Sequence, residues 1–231
     1  MKHIAILIPS RDRNYKIERL HSLWFQHIDN TIITDCIIVL DEDNEHTYTR
    51  MPGFKYEVVK SNGKRGVTFP INQAAIKYCN EYEYIGFWGD DHRPNTQGWN
   101  LKMYEVLSKN KPYSMAYAND LIQGEKLATE IIMDSLYIKN LGYMIHPDIQ
   151  HLYSDNLWMY IGRYMNNIHY LNDVIIEHEH YSVNKSQEDD LYKELNSNER
   201  WFEDEKAYNK IINSEEFINI MNEIVKLQLK N

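Results

Sequence analysis

Two adjacent carboxylates at the end of an apolar run are the first place where this chain could do chemistry. They lie in Phe87-Trp88-Gly89-Asp90-Asp91-His92. Carboxylates closing a buried strand are costly to desolvate unless a cation or solvent compensates them. A hard divalent ion such as Mn2+ or Mg2+ does so with oxygen ligands and keeps positions open for substrate phosphates, which makes Asp91 a candidate metal anchor. A solvated turn whose aspartates cap the next element would show the same residues.

Glu177-His178-Glu179-His180 is the second cluster. In a strand, residues two apart share a face, so His178 and His180 are expected to project together and either could complete a metal shell with Asp91. An exposed polar strand edge accounts for the same pattern. Lys64 and Arg65, between Gly63 and Gly66, precede a helix, where basic side chains and backbone N–H groups can hold phosphate oxygens. A solvent-facing turn is the other reading, and both readings extend to Arg11 and Arg13. The spacing does not fit the Gly-x-x-x-x-Gly-Lys-Ser/Thr phosphate loop, which disfavours that class of nucleoside triphosphatase.

The elements that must position these residues follow from hydrophobic patterning. Continuous apolar runs at 4–8, 36–40 and 84–88, with a weaker one at 54–59, read as strands buried on both faces. Helical spacing at 15–28 (Ile17, Leu20, Trp24, Ile28) and after Gly66 (Val67, Ile71, Ala74, Ala75, Tyr78) places helices between them. The expectation is an α/β fold with a mostly parallel, Rossmann-like sheet flanked by helices, ligands binding beyond the carboxyl ends of the strands. Further on, the pattern predicts helices at 101–108 and 155–165 and strands at 114–118, 130–133 and 173–181. One or two amphipathic helices follow over 198–229.

The bulk numbers bound the function. At 231 residues the chain fits one domain with a modest extension. A net charge of −9 argues against affinity built on a broad field for nucleic-acid backbones. Cys36 and Cys79 sit in apolar stretches and read as buried hydrophobes. The apolar run ending at Pro9 is too short for a secretory core, and no stretch reaches the ~20 apolar residues of a spanning helix, so a cytoplasmic protein is expected.

In order along the chain, Ile8-Pro9-Ser10-Arg11, Asp41-Glu42-Asp43, Asn62 with Lys64-Arg65-Gly66, and Gly89-Asp90-Asp91 resemble the GT-A fold glycosyltransferases of the family-2, inverting type. The resemblance covers roughly the first 180 residues and implies a GT-A domain over 1–197 with a C-terminal helical extension, 198–231, packed on it. It implies a nucleotide-sugar donor, with uridine the commonest base, contacted by Pro9, Ser10, Arg11 and Asp41 or Asp43. Asn62, Lys64 and Arg65 would face the diphosphate. The family's Asp-x-Asp metal motif aligns with Gly89-Asp90-Asp91, so glycine replaces its first aspartate and Asp90 is the alternative second donor contact. An acidic residue opening a helix near the acceptor, the general base of inverting members, corresponds to Asp155 in Ser154-Asp155-Asn156-Leu157-Trp158; a helix cap is the other reading of that residue. A late histidine reaching the metal corresponds to His178 or His180.

The implied reaction is metal-dependent transfer of a sugar from a nucleotide-diphosphate donor to a hydroxyl acceptor. The acceptor class stays open among glycan, small molecule, protein and modified DNA base, and Trp99, Tyr117 and Trp158 are the aromatic residues expected to stack on it. Two rivals remain at this stage: a sugar-phosphate nucleotidyltransferase, which lacks its glycine-rich loop after the first strand here, and a nucleotide-sugar binding module without transfer activity.

Overall fold

Residues 4–8 are completely buried, and the topology explains why. In the computed structural model, which describes residues 2–60, 66–183, 185 and 189–230, β1 (Lys2–Pro9) lies between β2 (Thr34–Asp41) and β4 (Tyr82–Phe87), parallel to both, with β3 (Lys55–Val59) beyond β2. Helices α1 (Asn14–His27) and α2 (Thr68–Tyr78) make the crossovers to β2 and β4. Alternate residues feed two cores. Ala5, Leu7, Ile37 and Val39 meet α2 and the later helices, whereas Ile4, Ile6, Ile8, Cys36 and Ile38 meet α1 and α3 (Trp99–Lys109). A strand covered on both faces has no use for polar alternation, and each fully buried Ile or Leu contributes roughly 1.5–3 kcal/mol.

Past β4 the sheet changes hand. Its order is β3-β2-β1-β4-β7-β6-β8-β5, with β7 (Ile131–Asp134) antiparallel to both β4 and β6 (Met115–Asn119). β8 (Ile168–His178) runs parallel to β6, and β5 (His92–Pro94) pairs antiparallel with β8. The expected strand at 173–181 therefore starts five residues earlier and stops at His178. Its register against β6 jumps from Ala118↔Leu171 to Asn119↔Ile175, and this bulge breaks the two-residue period by which strands are read. β5 and the short helices α4 (Ser135–Leu141) and α6 (Asp190–Leu195) carry no such pattern and were not expected.

α5 (Ser154–Tyr164) packs against the sheet, and the segment 198–229 forms two helices, α7 (Asn198–Ile212) and α8 (Glu215–Gln228). The break comes at Ser214, whose side chain accepts the Phe217 N–H and caps α8, as Ser197 caps α7. Ile211, Phe217, Met221 and Ile224 enter the same core as Leu7 and Trp158. Among the described residues no helix is long and apolar enough to cross a membrane.

Candidate metal and nucleotide site

The carboxyl ends of β1, β2 and β4 open on one cleft of about 310 Å³. Pro9, Ser10, Arg11, Asp41, Asp90, Asp91, Asp155, His178 and His180 all line it. Asn62, Lys64 and Arg65 fall outside the described residues. Gly66, at the end of that loop, lines the cleft at φ +140°, where a Cβ would collide with the Gln150 carbonyl, so only glycine brings the chain this close.

β5 and β8 create the metal-like constellation. Their register sets His92 directly opposite His178, and the two rings stack at 4.3 Å. Asp91 Oδ1 lies 3.4 Å from His178 Nε2 and 3.7 Å from His92 Nδ1. Ligand atoms of Asp91, His92 and His178 all fall within 4.8 Å of one another, a spread that one cation could bridge. They are not equivalent. His92 is buried, its Nδ1 accepts the Gly89 N–H at 3.0 Å, and burial pushes its pKa down to about 3, so it is a neutral ring with one lone pair already used. Asp91 and His178 keep part of their surface in the cleft, and they are the pair with atoms to offer; oxygen and imidazole together suit a borderline divalent ion. Burial works to raise the Asp91 pKa, but the hydrogen bond from His178 and the charge of Lys16 hold it well below the usual carboxylate range.

His180 occupies the cleft differently from what strand alternation predicts. β8 ends at His178, the His180 N–H turns back to the His178 carbonyl at 2.8 Å, and His180 Nε2 meets the Tyr192 hydroxyl at 3.0 Å. It stands beside the cluster of Asp91, His92 and His178, not in it.

Compensation of the two aspartates is partly internal, which the sequence argument had assigned to solvent or an added cation. Lys16, 5% exposed, places Nζ 3.4 Å from Asp90 and 3.3 Å from Asp91. Arg13 reaches Asp90 at 3.4 Å and grips Asp189 with two contacts of 2.6 Å. Ser10 donates to Asp90 Oδ2 at 2.8 Å and accepts from Tyr48. Asp90 thus ties the loop after β1 to the loop after β4, and burial raises its pKa against the opposing pull of Lys16. Arg11 bonds Asp41 at 3.0 Å and Asp43 at 2.7 Å, so Asp41 lines the cleft as its partner whereas Asp43 is an exposed partner outside the lining. Lys16 was missed, yet it carried a signal: it shares the i, i+4, i+8 stripe with Leu20 and Trp24, and a lysine on a buried stripe needs a buried acid.

Asp155 lies in the first turn of α5, its Oδ1 accepting the Asn156 N–H at 2.9 Å. Neither it nor Ser154 caps the helix; the cap position is Tyr153, at φ 63°, without a side-chain cap bond. Burial raises the Asp155 pKa, as a proton acceptor requires. Two of the three aromatic expectations are corrected. Trp99 packs with Trp24 and Trp88 in the core on the far face of the sheet, and Tyr117 is buried with its hydroxyl on the Glu125 carbonyl. Trp158, though buried, is among the residues lining a neighbouring cavity, where it donates to the Met144 carbonyl and leans on Phe87.

The loop carrying His151 and Leu152 is pinned from α7. Asp204, completely buried, accepts the N–H groups of Gln150, His151 and Leu152 at 2.8, 3.0 and 2.8 Å. Asp204→Asn turns one oxygen into a donor facing donors, which costs about 1–3 kcal/mol. Thermal unfolding should fall by roughly 2–4 °C per kcal/mol at this length, and hydrogen exchange should quicken at those three amides. Unchanged exchange there would mean that the loop holds without this anchor.

No protein-family model and no curated protein sequence matches the chain. Solved structures do. The chain is similar to S. aureus TarS, with a TM-score of 0.60 at 15% identity over 95% of this chain, though it spans only 43% of that one. Residues 1–349 of TarS in complex with UDP-GlcNAc give a TM-score of 0.61 at 14% identity, covering 95% of this chain and 72% of the other. The mannosyltransferase PcManGT from Pyrobaculum calidifontis, in complex with GDP-Man and Mn2+, gives 0.53 at 10% identity, covering 98% and 80%. With its parallel β3-β2-β1-β4 half, its antiparallel turnover at β7 and this likeness along almost its whole length, the chain has the GT-A fold of the glycosyltransferases.

Proposed function

We propose that the chain is a divalent-metal-dependent glycosyltransferase that moves a sugar from a nucleoside-diphosphate donor to an acceptor hydroxyl with inversion. One observation carries the reading: the Asp91–His178 pair and the desolvated Asp155 share a single cleft at the strand ends. A carboxylate–imidazole pair beside a separate carboxylate is the set that leaving-group neutralisation and proton removal require. Solved neighbours in complex with UDP-GlcNAc, and with GDP-Man and Mn2+, support a nucleotide-sugar donor and a metal.

Asp91 and His178 would hold the cation, which when bound would supply Lewis acidity toward a departing diphosphate, worth several kcal/mol in general. Pro9, Ser10, Arg11 and Asp41 form the wall where the nucleoside lies. Asp155, in the same cleft, accepts the proton of the attacking hydroxyl.

The test is thermal unfolding of the chain with uridine, guanosine, cytidine, adenosine and thymidine diphosphates, each with and without Mn2+. One nucleotide should raise Tm only when Mn2+ is present, by an amount equivalent to about 2.7 kcal/mol at a hundredfold excess over Kd. The matching sugar donor should be hydrolysed slowly to the nucleoside diphosphate. Stabilisation indifferent to Mn2+ overturns the metal role, and release of pyrophosphate from a triphosphate with sugar phosphate replaces transfer by nucleotidylation.

A further inference from the structure

A second cavity of about 330 Å³ adjoins the donor cleft through shared residues that include Phe87, His151, Asp155 and His178. Its outer wall comes from Tyr153 and from Trp201 on α7. Of the chain's five tryptophans, four are at most 2% exposed, and Trp201 is 50% exposed. Its ring lies 5.3 Å from that of Tyr153, edge to face. A large aromatic surface left in water is a poor packing choice, and here it borders a cavity that ends at the candidate base.

The rest of the lining narrows the ligand. Among the described residues it includes no lysine or arginine, and Asp155 is its one carboxylate. Gln123, Thr129 and Asn156 supply neutral amide and hydroxyl groups. The buried Nδ1 of His151 has no hydrogen-bond partner among the described residues. Such a wall offers a phosphodiester no lysine or arginine among the described residues, and a carboxylate faces it. An aromatic face ringed by neutral hydrogen-bonding groups fits instead a ligand with an apolar C–H face and a hydroxyl rim.

Resting on the transferase reading, we infer that this cavity is the acceptor site and that it takes an uncharged carbohydrate, one ring of which lies against Trp201 and Tyr153 with a hydroxyl directed at Asp155. The C-terminal helix α7 then belongs to substrate selection as well as to packing. Nucleic acid and other polyanionic acceptors are disfavoured by the same surface.

Because Trp201 is the one tryptophan open to solvent, iodide quenching of emission reports on it selectively. The full chain, with Mn2+ and the nucleoside diphosphate that stabilises it, is titrated with maltotriose, cellotriose, mannotriose, chitotriose and a single-stranded deoxyoligonucleotide. A neutral oligosaccharide should shield the quenchable fraction, and Trp201→Phe should abolish the signal. With that saccharide as acceptor, Trp201→Ala should raise acceptor KM about tenfold, in keeping with the loss of one aromatic contact. Trp201→Tyr should recover most of it, and Phe202→Ala, an exposed neighbour outside the cavity, should keep wild-type values. Shielding by the oligonucleotide alone, by none of the probes, or an unchanged acceptor KM in Trp201→Ala overturns the inference. Mn2+-dependent nucleotide binding and donor hydrolysis are read in the same samples; their failure would instead remove the transferase reading beneath it.

Discussion

Asp155→Asn should lower transfer by roughly 10²–10⁴, the usual worth of a positioned general base, while Mn2+-dependent donor affinity stays at the wild-type value. The geometry makes this substitution clean. Asp155 uses one oxygen to accept the Asn156 N–H, a bond that the amide oxygen of asparagine can keep, so the first turn of α5 survives. Only the capacity to take a proton is removed. Calorimetry with nucleoside diphosphate and Mn2+ beside a transfer assay separates the two effects. Retained transfer in Asp155→Asn would assign the proton to another group, and a parallel loss of donor binding would make Asp155 part of the donor wall.

The first half of the fold was legible because burial on both faces leaves uninterrupted apolar runs, as at 4–8 and 36–40. The same logic failed at β5. His92, Arg93 and Pro94 contain nothing a hydrophobic pattern can use, yet His92 and Arg93 are each 2% exposed. Arg93 earns its burial by donating to the carbonyls of Asp90 and His92 at 2.8 Å and by pairing with Glu179 at 3.1 Å. The Glu179 pair joins two strand-end segments far apart in sequence, and no local window contains it. His92 was visible beside Asp91, but its place opposite His178 depends on the β5–β8 register. Trp99 failed for a related reason: aromatic side chains serve core and site alike. Which face each helix turns to the sheet decides the matter, and it puts Trp99 in the core while Trp158 and Trp201 border a cavity.

Asp91→Ala should bring donor affinity in Mn2+ down to the metal-free level and cut transfer on the order of 10³, the rate equivalent of several kcal/mol of lost charge stabilisation. The fold should tolerate it. Lys16, which touches both aspartates, keeps Asp90 at 3.4 Å, so no cation is left stranded. Asp90→Ala offers the opposite balance. It takes the acceptor from Ser10 and leaves Arg13 and Lys16 with less compensation at a buried position, a change that costs about 3–5 kcal/mol when a buried pair is broken. Two neighbouring carboxylates should therefore separate in one experiment, with Asp91→Ala losing metal-linked binding at near wild-type Tm and Asp90→Ala losing Tm first. Equal donor affinity of wild type and Asp91→Ala in Mn2+ would take Asp91 out of the metal site. Charge on the leaving diphosphate would then have to be met by the protein's own cations, among them Arg11, Arg13 and Lys16.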